Sequence, residues 1–293
     1  MAVALPTSID EAVAMLAADP MAHVLAGGTD FMVEVNFGRR RPPAVVALHR
    51  VADLKGWMRQ GGRLVLGGGC TWTELLDPEV ASMAPALAQA SRTVGSPQIR
   101  NAGTIAGNVA TASPAGDGLP PLYALDALVT VAGPHGRRTL PLADLIAGPK
   151  RTGLEPGELI ASIDVPVLRG AQAYLKIGAR NAMVIAVASV ALVVDLDGAK
   201  VRCALGSVGP TVIRARHAED WLAERIDLAG AAGPGGLGGV GGVPEAVSPA
   251  LAREFGRRVA AEARPVDDHR STADSRRHAV GVLAARAITR CLA

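Results

Sequence analysis

The run His23-Val24-Leu25-Ala26-Gly27-Gly28-Thr29-Asp30-Phe31-Met32-Val33-Glu34-Val35 decides the fold class. The apolar stretch from His23 to Ala26 reads as a short buried strand, Gly27-Gly28-Thr29-Asp30 as a turn, and Phe31 to Val35 as an amphipathic helix. Strand, glycine turn and helix in that order point to an α/β arrangement. Upstream, Ser8-Ile9-Asp10-Glu11 fits the S-x-x-E capping box, and Ile9, Ala12, Val13 and Leu16 recur at helical spacing, so a helix is expected to end before Pro20. Downstream, Pro43 to Leu48 and Arg63 to Leu66 read as strands; Gly67-Gly68-Gly69 follows, and a helix is expected to open at Thr71.

Pro85 to Val94 reads as a helix, and Gly95 to Asn108 as a long irregular working loop, too rich in Gly and Asn for a regular element. Leu128 to Val131 and Arg138 to Leu140 form an expected hairpin around a four-residue loop, Gly133 to Gly136, and Ile160 to Val165 is a further strand. Beyond Gly170 the composition changes. Ala173 to Ile177, Val184 to Val194 and Lys200 to Leu205 read as three antiparallel strands, followed by helices at Ala218–Arg225, Pro249–Ala263 and Arg276–Cys291. The 293 residues exceed the usual range of a single domain, so two are expected: 1–170, with subdomains near 1–56 and 57–170, and 171–293. Between them they make a fold of mixed α/β and α+β class.

Composition excludes several classes of function. Hydrophobic residues make up 49% of the chain and charged ones 19%, enough apolar surface to rule out overall disorder. Thirty basic against 27 acidic residues leave a net charge of +3, too little for a nucleic-acid partner. The short clusters Arg39-Arg40-Arg41 and Arg137-Arg138 read as solvated loops. Cys70, Cys203 and Cys291 stand far apart without a CxxC pair, which argues against a metal or iron–sulfur site within the chain and fits a reducing, cytoplasmic compartment. The N-terminus lacks the pattern of a signal peptide, and the longest apolar run, Ala182 to Val194, is too short to span a membrane.

Gly230 to Val243 contains eight glycines and reads as a flexible surface insertion. Its literal GxGxxG matches lack both the strand before and the helix after that a dinucleotide fingerprint needs. Ala26 to Asp30 has the better context. Its glycines can turn the backbone and aim N–H groups outward as an anion nest, with Asp30 capping amides or taking a sugar hydroxyl; on this motif alone an ordinary strand-to-helix turn with Asp30 as N-cap is the favoured alternative. The second segment tilts the balance. Thr104-Ile105-Ala106-Gly107-Asn108 and Thr111 to Asp117 offer small residues, hydroxyls, an amide and a carboxylate, an inventory suited to a diphosphate-containing dinucleotide. No G-x-S-x-G elbow or catalytic carboxylate pair is present, and Asp267-Asp268 reads as an exposed turn or a helix start, so no catalytic side chain is assigned.

These residues, with Gln98-Ile99-Arg100-Asn101, Glu158 to Ile163, Tyr174-Leu175-Lys176 and, weakly, Arg276-Arg277-His278, resemble the flavoprotein (medium) subunit of the xanthine dehydrogenase and carbon monoxide dehydrogenase family of molybdenum hydroxylases. The resemblance implies a two-part FAD-binding domain of the vanillyl-alcohol-oxidase type followed by a smaller α+β domain. It implies noncovalent FAD, its diphosphate wrapped by Leu25, Ala26, Gly27, Gly28, Thr29 and Asp30 together with Thr104, Ile105, Ala106, Gly107 and Asn108. Thr111, Ser113 and Asp117 would hold phosphate and sugar oxygens, and Ile160 and Lys176 would approach the cofactor. The chain departs from the family in carrying Ala106 where a glycine is common. Implied partners are a large molybdopterin subunit and a small iron–sulfur subunit, assembled as a dimer of heterotrimers, with electrons passing through this FAD to NAD, quinone or oxygen. Tyr174 is a candidate flavin neighbour or, equally, a core tyrosine. The competing readings are a self-sufficient FAD oxidoreductase and a non-catalytic nucleotide-binding scaffold.

Overall fold

The structure, a computed structural model, describes residues 2–226, 228 and 247–292. The Gly-rich stretch 230–243 lies outside the described residues. The chain divides into two compact units that do not follow it linearly. The first comprises Met1–Leu76, Gly95–Ala112 and Asp126–Pro166; the second comprises Asp77–Val94, Ser113–Leu125 and Val167–Ala293. Two segments on the N-terminal side of residue 170 thus group with the C-terminal part, because the helices Pro85–Thr93 and Leu119–Ala124 pack on the C-terminal sheet.

The first unit holds a parallel three-stranded sheet in the order Ala2–Ala4, Ala44–Ala47, Ala22–Leu25 and an antiparallel five-stranded sheet in the order Trp57–Gln60, Arg63–Gly67, Leu159–Pro166, Leu128–Gly133, Gly136–Pro141. The helix Ile9–Ala18 joins them. Its stripe of Ile9, Ala12 and Leu16 packs with Val46, Val51 and Leu54 and with Ala132, Leu159 and Ala161 of the larger sheet. Its cap differs from the expected box in one respect. The Ser8 hydroxyl accepts from the Glu11 N–H at 3.1 Å, but Glu11 reaches one residue further back and takes the Thr7 N–H at 2.7 Å.

Three local expectations are corrected here. The stretch 95–108 is not irregular: Ser96 and Thr104 cap two short helices, Pro97–Ala102 and Ile105–Thr111, each hydroxyl accepting from the amide three residues on. The hairpin closes through Pro134-His135 alone, since Gly133 pairs with Gly136, and it draws Arg137 and Arg138 into a strand, where Arg138 donates to Glu158 at 2.7 and 2.8 Å. Thr71 opens only a single turn, Glu74–Leu76, because the helix proper restarts at Pro78 behind an Asp77 cap.

The second unit is built on an antiparallel sheet in the order Gln172–Ile177, Ala188–Asp195, Lys200–Gly206, Ile213–Arg214. The fourth strand, of two residues, is too short to leave a sequence pattern. Ala188–Asp195 is buried along its whole length, which is why it reads as an apolar run interrupted only by Ser189 before the closing Asp195. One face carries the helices Pro249–Glu262 and Ala273–Cys291, with Phe255, Val259, Val280 and Ile288 in a core with Val190, Leu192 and Val194. These two helices meet at glycines: a Cβ on Gly281 would lie 2.9 Å from the Gly256 carbonyl oxygen. The edge strand Gln172–Ile177 is covered by Pro85–Thr93, where Gln89 accepts the Tyr174 N–H at 2.7 Å.

Candidate functional site

In the first unit two turns distant in sequence lie against each other. After the strand Ala22–Leu25 the chain turns at Gly28, whose φ of +73° needs a glycine. Gly27 is required for another reason: a Cβ there would overlap the carbonyl of Ala102 and come within 2.9 Å of the Gly103 Cα. Asp30 precedes the helix Phe31–Asn36 but makes no side-chain cap bond; it is exposed, with Lys150 Nζ 3.5 Å away. The reading of Asp30 as a side-chain N-cap is therefore corrected. Among the described residues, the N–H groups of Gly27, Gly28 and Thr29 donate to no protein acceptor, and this partly open turn presents the free donors that an anion such as a diphosphate takes.

The second turn is tied down from behind. The N–H of Ile105 donates to the Cys70 carbonyl at 2.9 Å and that of Ala106 to Gly68 at 3.3 Å; those of Gly107 and Asn108 donate to the Thr104 side chain and carbonyl, both at 3.1 Å. These four N–H groups are spent inside the fold, so the expectation that they meet phosphate is corrected: the segment contributes shape and side chains instead. Gly107 keeps clearance for the capping hydroxyl, since a Cβ would lie 2.9 Å from Thr104 Oγ1. Asn108 Oδ1 is buried without a partner. A buried carbonyl oxygen of this kind is stabilised by an O–H donor such as a sugar hydroxyl. The donor set of this unit thus fits a sugar–diphosphate group.

Of the other expected residues, Leu25 ends its strand partly buried, Thr111 ends the short helix partly exposed, and Ile160 is buried in the sheet. Sequence reasoning did not give a role to Gly67-Gly68-Gly69, although a triple glycine after a strand is a visible signal. A Cβ on Gly68 would overlap the Ile160 carbonyl, so this turn crosses directly over the strand Leu159–Pro166.

In the second unit Ser113 is partly exposed and Asp117 is buried. Asp117 Oδ1 accepts from the Tyr174 hydroxyl at 2.9 Å; Oδ2 accepts from Lys176 Nζ at 2.5 Å and from Thr93 Oγ1 at 3.2 Å. Tyr174 is thereby a core tyrosine whose hydroxyl is committed to Asp117. A carboxylate has about four acceptor positions, so a sugar hydroxyl would be a fourth donor to this group. Burial pushes the Asp117 carboxyl above its ordinary value, and the Lys176 ammonium opposes the shift.

This pair yields a prediction. With side chains only 7% and 9% exposed, removing the cation by Lys176→Met is expected to cost about 3 kcal/mol near neutral pH, because it leaves a buried carboxylate unpaired. Without Lys176 the folded-state pKa of Asp117 rises further above its unfolded value, so stability falls as pH rises and the deficit shrinks in acid. Urea unfolding of both proteins at pH 5 and pH 8 measures this; an equal deficit at both would refute it.

The comparisons with known proteins agree with this geometry. The family model described as the FAD binding domain in molybdopterin dehydrogenase matches residues 1–168. The chain is 31% identical over 220 residues to the xanthine dehydrogenase FAD-binding subunit of Escherichia coli O157:H7, covering 72% of this chain and 75% of that one. It is 32% identical over 216 residues to the carbon monoxide dehydrogenase medium chain of Hydrogenophaga pseudoflava, covering 71% and 75%. A solved structure of reconstituted CO dehydrogenase from Oligotropha carboxidovorans superposes with a TM-score of 0.86 at 28% identity, over 99% of this chain and 97% of that one. The chain belongs to the family of FAD-binding domains of molybdopterin dehydrogenases. It is an FAD-binding oxidoreductase subunit of the medium-chain type. Among the described residues no helix is long and apolar enough to cross a membrane.

Proposed function

We propose that this chain is the flavin subunit of a multi-subunit molybdenum hydroxylase. It takes electrons from the iron–sulfur clusters of a small partner subunit, fed in turn by a large molybdopterin subunit, and hands them to a final acceptor, NAD, a quinone or oxygen. The assembly is a dimer of heterotrimers in the cytoplasm. Bound FAD supplies the redox chemistry; the protein binds and orients it. The observation that carries this reading is the run of free N–H groups at Gly27, Gly28 and Thr29, backed closely by Ala102 and Gly103. These donors take the diphosphate, Leu25, Ala26 and Asp30 frame the turn, and Asn108 takes a sugar hydroxyl through its buried oxygen. Thr104, Ile105, Ala106 and Gly107 shape the second turn, with Thr111 and Ile160 in the same unit as further cofactor contacts; in the second unit, Ser113, Asp117 and Lys176 are the residues assigned to the cofactor. Three buried, unpaired cysteines support housing the iron–sulfur clusters in other chains.

The test is direct. The purified full chain is expected to show a flavin absorption spectrum, to oxidise no substrate alone, and to copurify with two further chains when expressed with its neighbours. A colourless protein that takes up no added FAD overturns the proposal; substrate oxidation by the chain alone replaces it with a self-sufficient oxidase.

A further inference from the structure

The loop Cys70–Leu76 carries a complete capping box that caps almost no helix. The Thr71 N–H donates to Glu74 Oε2 at 2.6 Å, the Thr71 hydroxyl donates to the same oxygen at 2.7 Å, and the Glu74 N–H approaches Thr71 Oγ1 at 3.3 Å. Such a box ordinarily stabilises the first turn of a helix. Here only the three-residue turn Glu74–Leu76 follows, which leaves this short, charge-assisted arrangement without a helix to serve.

What it does hold is one peptide plane. The N–H of the Cys70–Thr71 peptide goes to Glu74, and the C=O of the same peptide accepts the Ile105 N–H at 2.9 Å. Since the peptide is planar, pinning its N–H pins its carbonyl. The flanking residues repeat the grip: the Ala106 N–H donates to Gly68, the Trp72 N–H to Gly103 at 3.2 Å, and the Thr73 N–H to Arg100 at 3.2 Å, with Thr71 bridged to Thr104. The backbone from Arg100 to Ala106 therefore hangs on the loop that Glu74 orients. That same backbone supplies the Ala102 carbonyl and Gly103 against which Gly27 packs.

We propose that Glu74 is a positioning residue for the FAD diphosphate site: through Thr71 it sets the place of the 100–108 backbone, and through that backbone the place of the Gly27–Thr29 donors. This rests on the reading that those donors hold FAD. Neither Glu74 nor Thr71 needs to touch the cofactor.

The experiment compares Glu74→Ala, Glu74→Gln and wild type as full-length chains. It reads the FAD dissociation constant by flavin fluorescence quenching, the shape of the bound flavin's visible bands, and the melting temperature without FAD. Glu74→Ala is expected to weaken FAD binding by about tenfold, equivalent to roughly 1.4 kcal/mol, and to alter the bound spectrum. Glu74→Gln, whose amide oxygen still accepts the Thr71 N–H, is expected to restore affinity to within about threefold of wild type. Wild-type affinity and spectrum in Glu74→Ala, whatever its melting temperature, overturn the inference. If Glu74→Ala does not fold, Thr71→Val serves instead, with an expected loss of about threefold, and unchanged affinity again overturns it. Asn108→Ala separates the two levels: if it and Glu74→Ala both leave FAD binding intact, the reading of the site falls; if only Asn108→Ala weakens it, the positioning role alone falls.

Discussion

Gly27→Ala is expected to weaken FAD binding by roughly a hundredfold, about 3 kcal/mol, and to leave the purified chain nearly colourless at micromolar cofactor. The cause is steric. The new methyl would overlap the Ala102 carbonyl and press on the Gly103 Cα, both backbone groups with no rotamer to retreat into. Ala102 and Gly103 are in turn tethered by Gly103 N–H to Ile99 O at 2.7 Å and by Trp72 N–H to Gly103 O at 3.2 Å, so the turn carrying Gly27 must move instead. Moving it displaces the three free N–H groups together. Gly153→Ala is the control, because a Cβ there would meet only the Leu145 carbonyl oxygen at an ordinary 3.7 Å. Fluorescence titration with FAD checks both; a Gly27→Ala chain that binds within threefold of wild type would show that the close approach is not needed.

The largest expected loss of stability follows Arg276→Met. Arg276 is 2% exposed and donates to the Val187 carbonyl at 2.8 Å, the Ser207 carbonyl at 2.9 Å and Asp268 Oδ1 at 2.6 Å. Ser207 has a φ of +63°, unusual for a residue with a side chain, and three bonds keep it there: its N–H to Pro114, its hydroxyl to Ala186, and its carbonyl to Arg276. Methionine fills the volume but leaves the buried Ser207 carbonyl and the part-buried Val187 carbonyl without a donor, at an expected cost of about 3–5 kcal/mol in urea unfolding near neutral pH. Lysine is expected to recover only part of this, since one ammonium cannot reproduce the planar fork. The pH dependence carries a definite sign. Hydrogen bonding from the Arg270 side chain, with a further contribution from Arg276, holds the Asp268 carboxyl well below its ordinary 3.8. Its stabilising contribution is present above that ordinary value and lost as pH falls through the lowered one, so the gap between wild type and variant narrows in acid. A gap that widened on acidification would contradict the assigned network. The turn at Asp267-Asp268 is thus an anchor ahead of the helix Ala273–Cys291, with Asp267 also accepting the Ala273 N–H at 2.5 Å.

Local signals in the sequence were sufficient for much of the fold. The helix Ile9–Ala18, the strands around Gly27-Gly28, the hairpin Leu128–Pro141 and the C-terminal helices follow from periodicity, capping residues and turns that act over a few residues. The two segments proposed to hold the cofactor also stood out in the sequence, because glycines and small hydroxyl residues between patterned elements have few other uses. Where the reading failed, competing local cues misled it. The Gly and Asn content of 95–108 concealed two short helices that Ser96 and Thr104 cap, and the stretch from Thr71 promised a helix that Pro78 postpones.

Composition and order along the chain thus pointed to the class of fold and to a dinucleotide, while FAD and the candidate residues came from the family resemblance. Only the tertiary structure decided how each residue is used. It spends the N–H groups of 105–108 on the scaffold and leaves those of Gly27–Thr29 free. It closes Asp117 with Lys176, 59 residues away, and makes Arg276 the donor to a carbonyl 89 residues away. The reason is physical: periodicity and capping report interactions within one or two turns of chain, whereas the partner of a buried donor or acceptor is whatever packing brings within about 3 Å, and no local pattern encodes it.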